Sequence, residues 1–129
     1  MGWISAPDVT RLRVNSWNAD NGNLLMDWSA PPNTQFQNNP SIMTWGSYIA
    51  VALWGDNDEN PTVELMTIYS NNSLFEYISP GSMFAIDLVV DSSSQTTDEI
   101  LLVAAGKNVP ANEGGTGGDA YLWSISVPK

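Results

Sequence analysis

Two residue types never occur in these 129 residues: histidine and cysteine. Without histidine there is no Ser-His-Asp triad, no ordinary general base near neutral pH, and none of the commonest metal ligand. Without cysteine there is no disulfide, no thiolate nucleophile and no thiolate zinc site. The chemistry left over is that of carboxylates. A glycosidase needs two of them facing each other across a cleft. Fourteen Asp and Glu residues make chance pairs inevitable, so their number is no signature of such a site. The chain reads as a non-enzyme.

Cations are nearly as scarce. Only Arg11, Arg13, Lys107 and Lys129 oppose the fourteen acids, for a net charge of −10. Nucleic-acid binding depends on Lys and Arg displacing counterions from phosphates, and attraction to anionic lipid depends on the same residues. This composition argues against both partners. No apolar run approaches the roughly 20 residues that cross a bilayer, so no membrane insertion is expected. Met1 leads directly to Gly2 and Trp3 with no basic segment of the signal-peptide kind. Either the protein is not secreted by that route, or the chain is a piece excised from a longer one with an added Met; the second reading is preferred, with residues 1–7 as a hinge or linker remnant and 8–129 as a single domain.

Helical periodicity is missing too, and Pro and Gly punctuate the chain throughout. Strand signals take its place. Eight segments qualify: 10–17, 23–29, 47–54, 63–70, 74–78, 83–91, 100–105 and 121–127. In the segment 83–91, Phe84, Ile86, Leu88 and Val90 share one face at the period of two that marks a half-buried strand. Segment 47–54 is almost continuously apolar, as expected of a strand covered on both faces. Asp20-Asn21-Gly22 predicts a type I′ hairpin turn between the first two segments. Two connections, 30–46 and 106–120, are too long for tight hairpins and predict crossings between sheets or loops that carry function. The fold expected is an all-β, eight-stranded antiparallel β-sandwich or barrel of jelly-roll type.

Few constellations suggest a ligand. Asp56-Asn57-Asp58-Glu59 is the densest acidic cluster. Oxygen ligands on a turn suit Ca²⁺, which makes Asp56, Asp58 and Glu59 the candidate metal ligands; the plain alternative is a solvated acidic turn. An EF-hand is excluded, because Pro61 stands where that loop needs Gly and Thr67 where it needs Glu. No cofactor is required, and calcium is the one candidate. Among the six tryptophans, Trp28 and Trp123 lie on apolar strand faces and read as core. Trp17 has the parity of Arg11 and Arg13 and should point away from the core. Trp17 and Trp54 are open to three readings: core, subunit interface or a platform on which a sugar stacks. Asn71-Asn72-Ser73 matches the short N-glycosylation sequon. Arg11 and Arg13 are expected to pair with carboxylates on a neighbouring strand.

In its pattern the whole chain resembles the protruding domain of a small icosahedral RNA virus capsid protein of the nodavirus kind, in particular the shrimp-infecting branch. The residues that carry the resemblance are the Ser5-Ala6-Pro7 lead-in, the strands rich in Asn, Thr and Ser, the long polar loops, the acidic turn Asp56-Asn57-Asp58, and the ending Val127-Pro128-Lys129 directly after the last strand. The resemblance implies a domain on the virion surface that pairs with a copy of itself to form a spike and contributes to host-cell attachment through a receptor or glycan. No residue role is carried over with it. The competing reading is an extracellular carbohydrate-binding module or lectin, also a Trp-rich β-sandwich, supported by calcium. The first reading predicts a two-fold homodimer through an isologous patch. The second predicts exposed aromatics in a row or pocket.

Overall fold

A computed structural model describes residues 2–6, 9–30, 41–52, 62–78, 82–107 and 118–129. They form ten strands: β1 (Gly2–Ala6), β2 (Val9–Trp17), β3 (Leu24–Ser29), β4 (Ser41–Trp45), β5 (Tyr48–Ala52), β6 (Val63–Thr67), β7 (Ser73–Tyr77), β8 (Ser82–Asp91), β9 (Thr97–Lys107) and β10 (Gly118–Pro128). All pairing is antiparallel, in three sheets: β1-β2-β3 (sheet A), β4-β5-β6-β7 (sheet B) and β8-β9-β10 (sheet C). The all-β antiparallel class expected from the sequence is the one observed, and the layers pack as a β-sandwich with one layer more than the minimum.

The described residues hold two strands more than the eight expected. Gly2–Ala6, expected to be linker, pairs residue for residue with β2 from Gly2↔Arg13 to Ala6↔Val9. Ser41–Trp45, expected to lie inside a long connection, is an edge strand on β5. Both are short and follow no clean alternation, which is why pattern alone passes over them. The other long connection changes character. β9 runs on to Lys107 and pairs with Gly118 at the start of β10, so this link joins two hydrogen-bonded neighbours and does not cross between sheets. Every described ladder joins strands consecutive in sequence, and the interleaved order of a jelly roll is not among the described pairings.

Sheet B is the middle layer, and β5 shows why. All five of its residues, Tyr48 to Ala52, are buried. Side chains alternate between the two faces of a strand. Tyr48, Ala50 and Ala52 therefore join Val63, Leu65, Met83, Ile86, Leu88, Ile100, Leu102 and Ala104 in a cluster between sheets B and C. Ile49 and Val51 join Val14, Met26, Trp28, Ala30 and Met66 in a second cluster between sheets A and B. Each buried Leu or Ile contributes roughly 1.5–3 kcal/mol relative to leaving it exposed. Sheets B and C converge along β4, β5 and β8. At the other side a run of rings fills the gap: Phe75 packs on Trp123 at 5.3 Å and Tyr77 on Tyr121 at 5.2 Å between centroids.

Within each sheet the strands pair in sequence order, so successive turns of a sheet fall at opposite ends of its strands. The turns at 18–23, 46–47, 68–72 and 92–96 lie at one end, called here the turn end. The β2–β3 turn is not the two-residue type I′ loop that Asn-Gly predicts. Asn18 N–H donates to Asn23 O at 2.8 Å and Gly22 N–H to Asn18 O at 2.8 Å, which closes a four-residue loop. Gly22 has φ +73, and Asn18 Oδ1 accepts from the backbone N–H of Asp20 and Asn21. The tight primed turn sits instead at Gly46-Ser47, between the paired residues Trp45 and Tyr48, with Gly46 at φ +57.

Candidate functional site

Asp56, Asp58, Glu59 and Trp54 lie outside the described residues. Among the described residues no group of three or more acids could hold a metal ion. Trp17, expected to face away from the core, is 56% exposed at the end of β2. Trp28 is buried between sheets A and B, and Trp123 packs against the B/C core from β10. Arg13 pairs with a carboxylate across the ladder, as expected: its Nε and Nη2 donate to the two oxygens of Asp27 on β3. That guanidinium, donating to the Asp27 carboxylate, holds its pKa below the usual range.

Two surfaces stand out from the rest. The first is the outer face of sheet C, the side turned away from the core. Ladder register sets four rows across it: Asp91, Glu99 and Ser126; Val89, Leu101 and Ser124; Asp87, Val103 and Leu122; Ala85, Ala105 and Ala120. Val89, Leu101, Val103 and Leu122 form a contiguous apolar diagonal, with Leu101 at 51% and Leu122 at 69% exposure. The three alanines make the adjoining row flat. The acids border the diagonal along β8 and toward the turn end, and Ser126 Oγ donates to Glu99 Oε2 at 2.5 Å. An apolar centre inside a polar rim is the anatomy of a protein–protein contact. Contiguous exposed apolar area of this kind marks interaction sites more often than single scattered residues do.

The second surface is a corner of the turn end, where sheet A docks on the β6–β7 turn. Ser16 Oγ donates to Ile68 O at 2.6 Å, and Asp27 N–H donates to Asn71 Oδ1 at 3.1 Å. The residue after each member of the first pair is an exposed aromatic: Trp17, and Tyr69 at 66% exposure. Leu24, the ladder partner of Trp17, is exposed as well. The sequon falls here as well. Its Asn71 side chain is occupied by the Asp27 amide, and Ser73 Oγ donates inward to Glu64 Oε2 at 2.5 Å.

Glu64 is a residue that sequence reading missed. It sits within the apolar strand β6 and is 2% exposed. Burial pushes its pKa up, Ser73 and the Trp28 indole pull it down as donors, and the Glu76 carboxylate directly across the ladder pushes it up again, to about 6. The even spacing of Glu64 with Met66 places both on the sheet A side, a signal that the sequence does carry.

A second polar knot, part-buried, involves Lys129. Tyr48 Oη donates to Asp98 Oδ2 at 2.6 Å, and Lys129 Nζ lies 3.3 Å from Asp98 Oδ1. The same ammonium donates to Ser92 O at 2.9 Å and to Ser94 O. Burial, with the Asp98 contact, raises the Tyr48 phenol to about 12, and the Tyr48 hydroxyl, Ser92 and Lys129 hold Asp98 below its ordinary value. Asp98 Oδ1 is buried and takes no hydrogen bond, so the Lys129 ammonium is its charge partner, and the chemistry of the knot is that of a clasp. No protein-family model matches this chain, and comparison with curated proteins and with solved structures also returns no match.

Proposed function

We propose that this chain is a non-catalytic interaction domain that pairs with a copy of itself through the outer face of sheet C. In the setting that the sequence resemblance suggests, it is the protruding domain of a capsid spike at the virion surface, contributing to host-cell attachment. The observation that carries the reading is the apolar diagonal Val89, Leu101, Val103 and Leu122 with its flat alanine row and acidic rim. A sheet face of this shape can be laid on itself about a two-fold axis, each residue meeting its symmetry-related set. The acids then stay at the solvated edge, where like charges cost little in salt.

Sedimentation equilibrium tests it. The wild-type chain is expected to dimerise at up to about 1 mM, the effective concentration that tethering on a particle supplies. Leu101→Glu, at an exposed position, should remain monomeric with its melting temperature little changed. A wild-type chain still monomeric at that concentration, or a Leu101→Glu variant that dimerises equally well, refutes the reading. The lectin alternative has its own supporting observation, the aromatic corner at the turn end.

A further inference from the structure

We infer that the corner formed by Trp17, Leu24 and Tyr69 is a binding site for neutral oligosaccharide. The inference is independent of self-association through sheet C.

Three features carry it. First, Trp17 ends β2 and Tyr69 lies in the β6–β7 turn, and both emerge from one fixed backbone junction, because the residues just before them are joined by the 2.6 Å hydrogen bond from Ser16 Oγ to Ile68 O. Large exposed rings on a fixed base offer the flat apolar surface on which the C–H face of a pyranose stacks. Second, the polar groups around them are mostly amides. Asn18, Asn21, Asn23, Asn71 and Asn72 occupy the two turns beside the rings. Asn18, Asn21 and Asn71 each spend Oδ1 on a backbone N–H, which fixes the amide and turns its NH₂ into an oriented donor. Asn23 and Asn72 are exposed and offer both donor and acceptor, the combination that matches adjacent sugar hydroxyls. Both turns are pre-ordered by their own hydrogen bonds, so a ligand need not order them.

Third, the charge and size of the corner exclude other ligands. Its one described cation, Arg13, is already paired with Asp27, and Asp20 stands exposed on the neighbouring turn. Sulfated or sialylated glycans and phosphates would meet negative charge. Three exposed apolar side chains make a far smaller area than the roughly 1,200 Å² a stable protein contact needs. Trp45 is exposed too, but it pairs with Tyr48, whose ring lies between sheets B and C. It therefore sits on the other side of sheet B and is not part of the corner.

Saturation-transfer NMR and tryptophan fluorescence with free lactose, N,N′-diacetylchitobiose and methyl α-mannoside provide the test, with 3′-sialyllactose as the anionic arm. At least one neutral probe is expected to bind in the millimolar range. Trp17→Ala and Tyr69→Ala should each weaken that binding by about tenfold, roughly one stacking contact. Trp17→Phe should retain most of it, and Leu101→Glu should leave it unchanged because these monovalent probes gain nothing from dimers. The inference fails if no neutral probe binds, if the sialylated probe alone binds, or if binding survives both alanine substitutions. Both aromatics are solvent-exposed, and unchanged melting curves would confirm that lost binding is not lost folding.

Discussion

Glu64 is the residue whose environment most opposes its charge. Its carboxyl is sealed between sheets A and B, with Ser73 and Trp28 as donors and Glu76 across the ladder. The residues of sheet A packed in this layer, Val14, Met26 and Trp28, bring no charge to offset it. With its folded pKa raised from 4.5 to about 6, the group favours the protonated fold. Its contribution is fully present below pH 4.5 and is lost as pH rises through about 6. The loss is on the order of 2 kcal/mol. Asp27 and Asp98 have the opposite sign: their pKa values are lowered, so their contribution is lost as pH falls below the ordinary carboxylate range. Thermal melts should therefore show a maximum on the acid side of neutrality. Glu64→Gln should remove the decline above pH 5 and melt higher than the wild type at pH 7; a wild-type Tm flat from pH 5 to 7 would contradict this. The sequence puts Glu64 in an apolar strand but cannot say that the strand is covered on its second face, and only that coverage makes the residue unusual. Trp17 was readable in a way that Glu64 was not, because parity with Arg11 and Arg13 needs no knowledge of a third layer.

Turns decide the elements more than strands do. The hairpin β4–β5 depends on Gly46 at φ +57, where a side chain would meet no neighbour within 4 Å. The cost of adding one is therefore backbone strain alone. Gly46→Ala should destabilise the protein by about 1 kcal/mol, and Gly46→Asn, which tolerates that region, by clearly less. Denaturant melts of the two variants check this, and equal losses would point to a packing role for the position instead. Gly-Ser is itself a hairpin signal. It was hidden because the five residues before it form an edge strand with three exposed side chains, Met43, Thr44 and Trp45, and no apolar face to announce it. Asn-Gly, the louder signal, marked a real hairpin but not its loop length, since Asn18 recruits the following amides and widens the turn by two residues. By contrast β5, β8, β9 and β10 were legible because alternation or continuous apolarity reflects burial directly.

For the molecule as a whole, a net charge of −10 with four cations means that folding concentrates like charge. Salt screens that repulsion over about 10 Å at 0.1 M. Adding sodium chloride from about 10 mM to 0.5 M should raise Tm and strengthen any pairing of sheet C faces, whose borders carry Asp87, Asp91 and Glu99. A Tm that falls with salt would instead mean that the pairs Arg13–Asp27 and Lys129–Asp98 outweigh the repulsion. The layered arrangement itself was not legible: composition announces β structure but not which strand runs are neighbours, and the same apolar pattern fits two sheets or three. The strictly consecutive pairing has a further meaning for how the protein could come apart. Residues 2–29 hold every hydrogen bond of the sheet A ladders, and residues 41–128 hold every one of the other two sheets. A single cut in the segment between β3 and β4 would break none of the described ladders. What then holds the first layer to the rest is the fit of Val14, Met26, Trp28 and Ala30 on Ile49, Val51 and Met66, with the Ser16–Ile68 and Asp27–Asn71 bonds beside it. Within one covalent chain, that seam is a binding interface between two fragments.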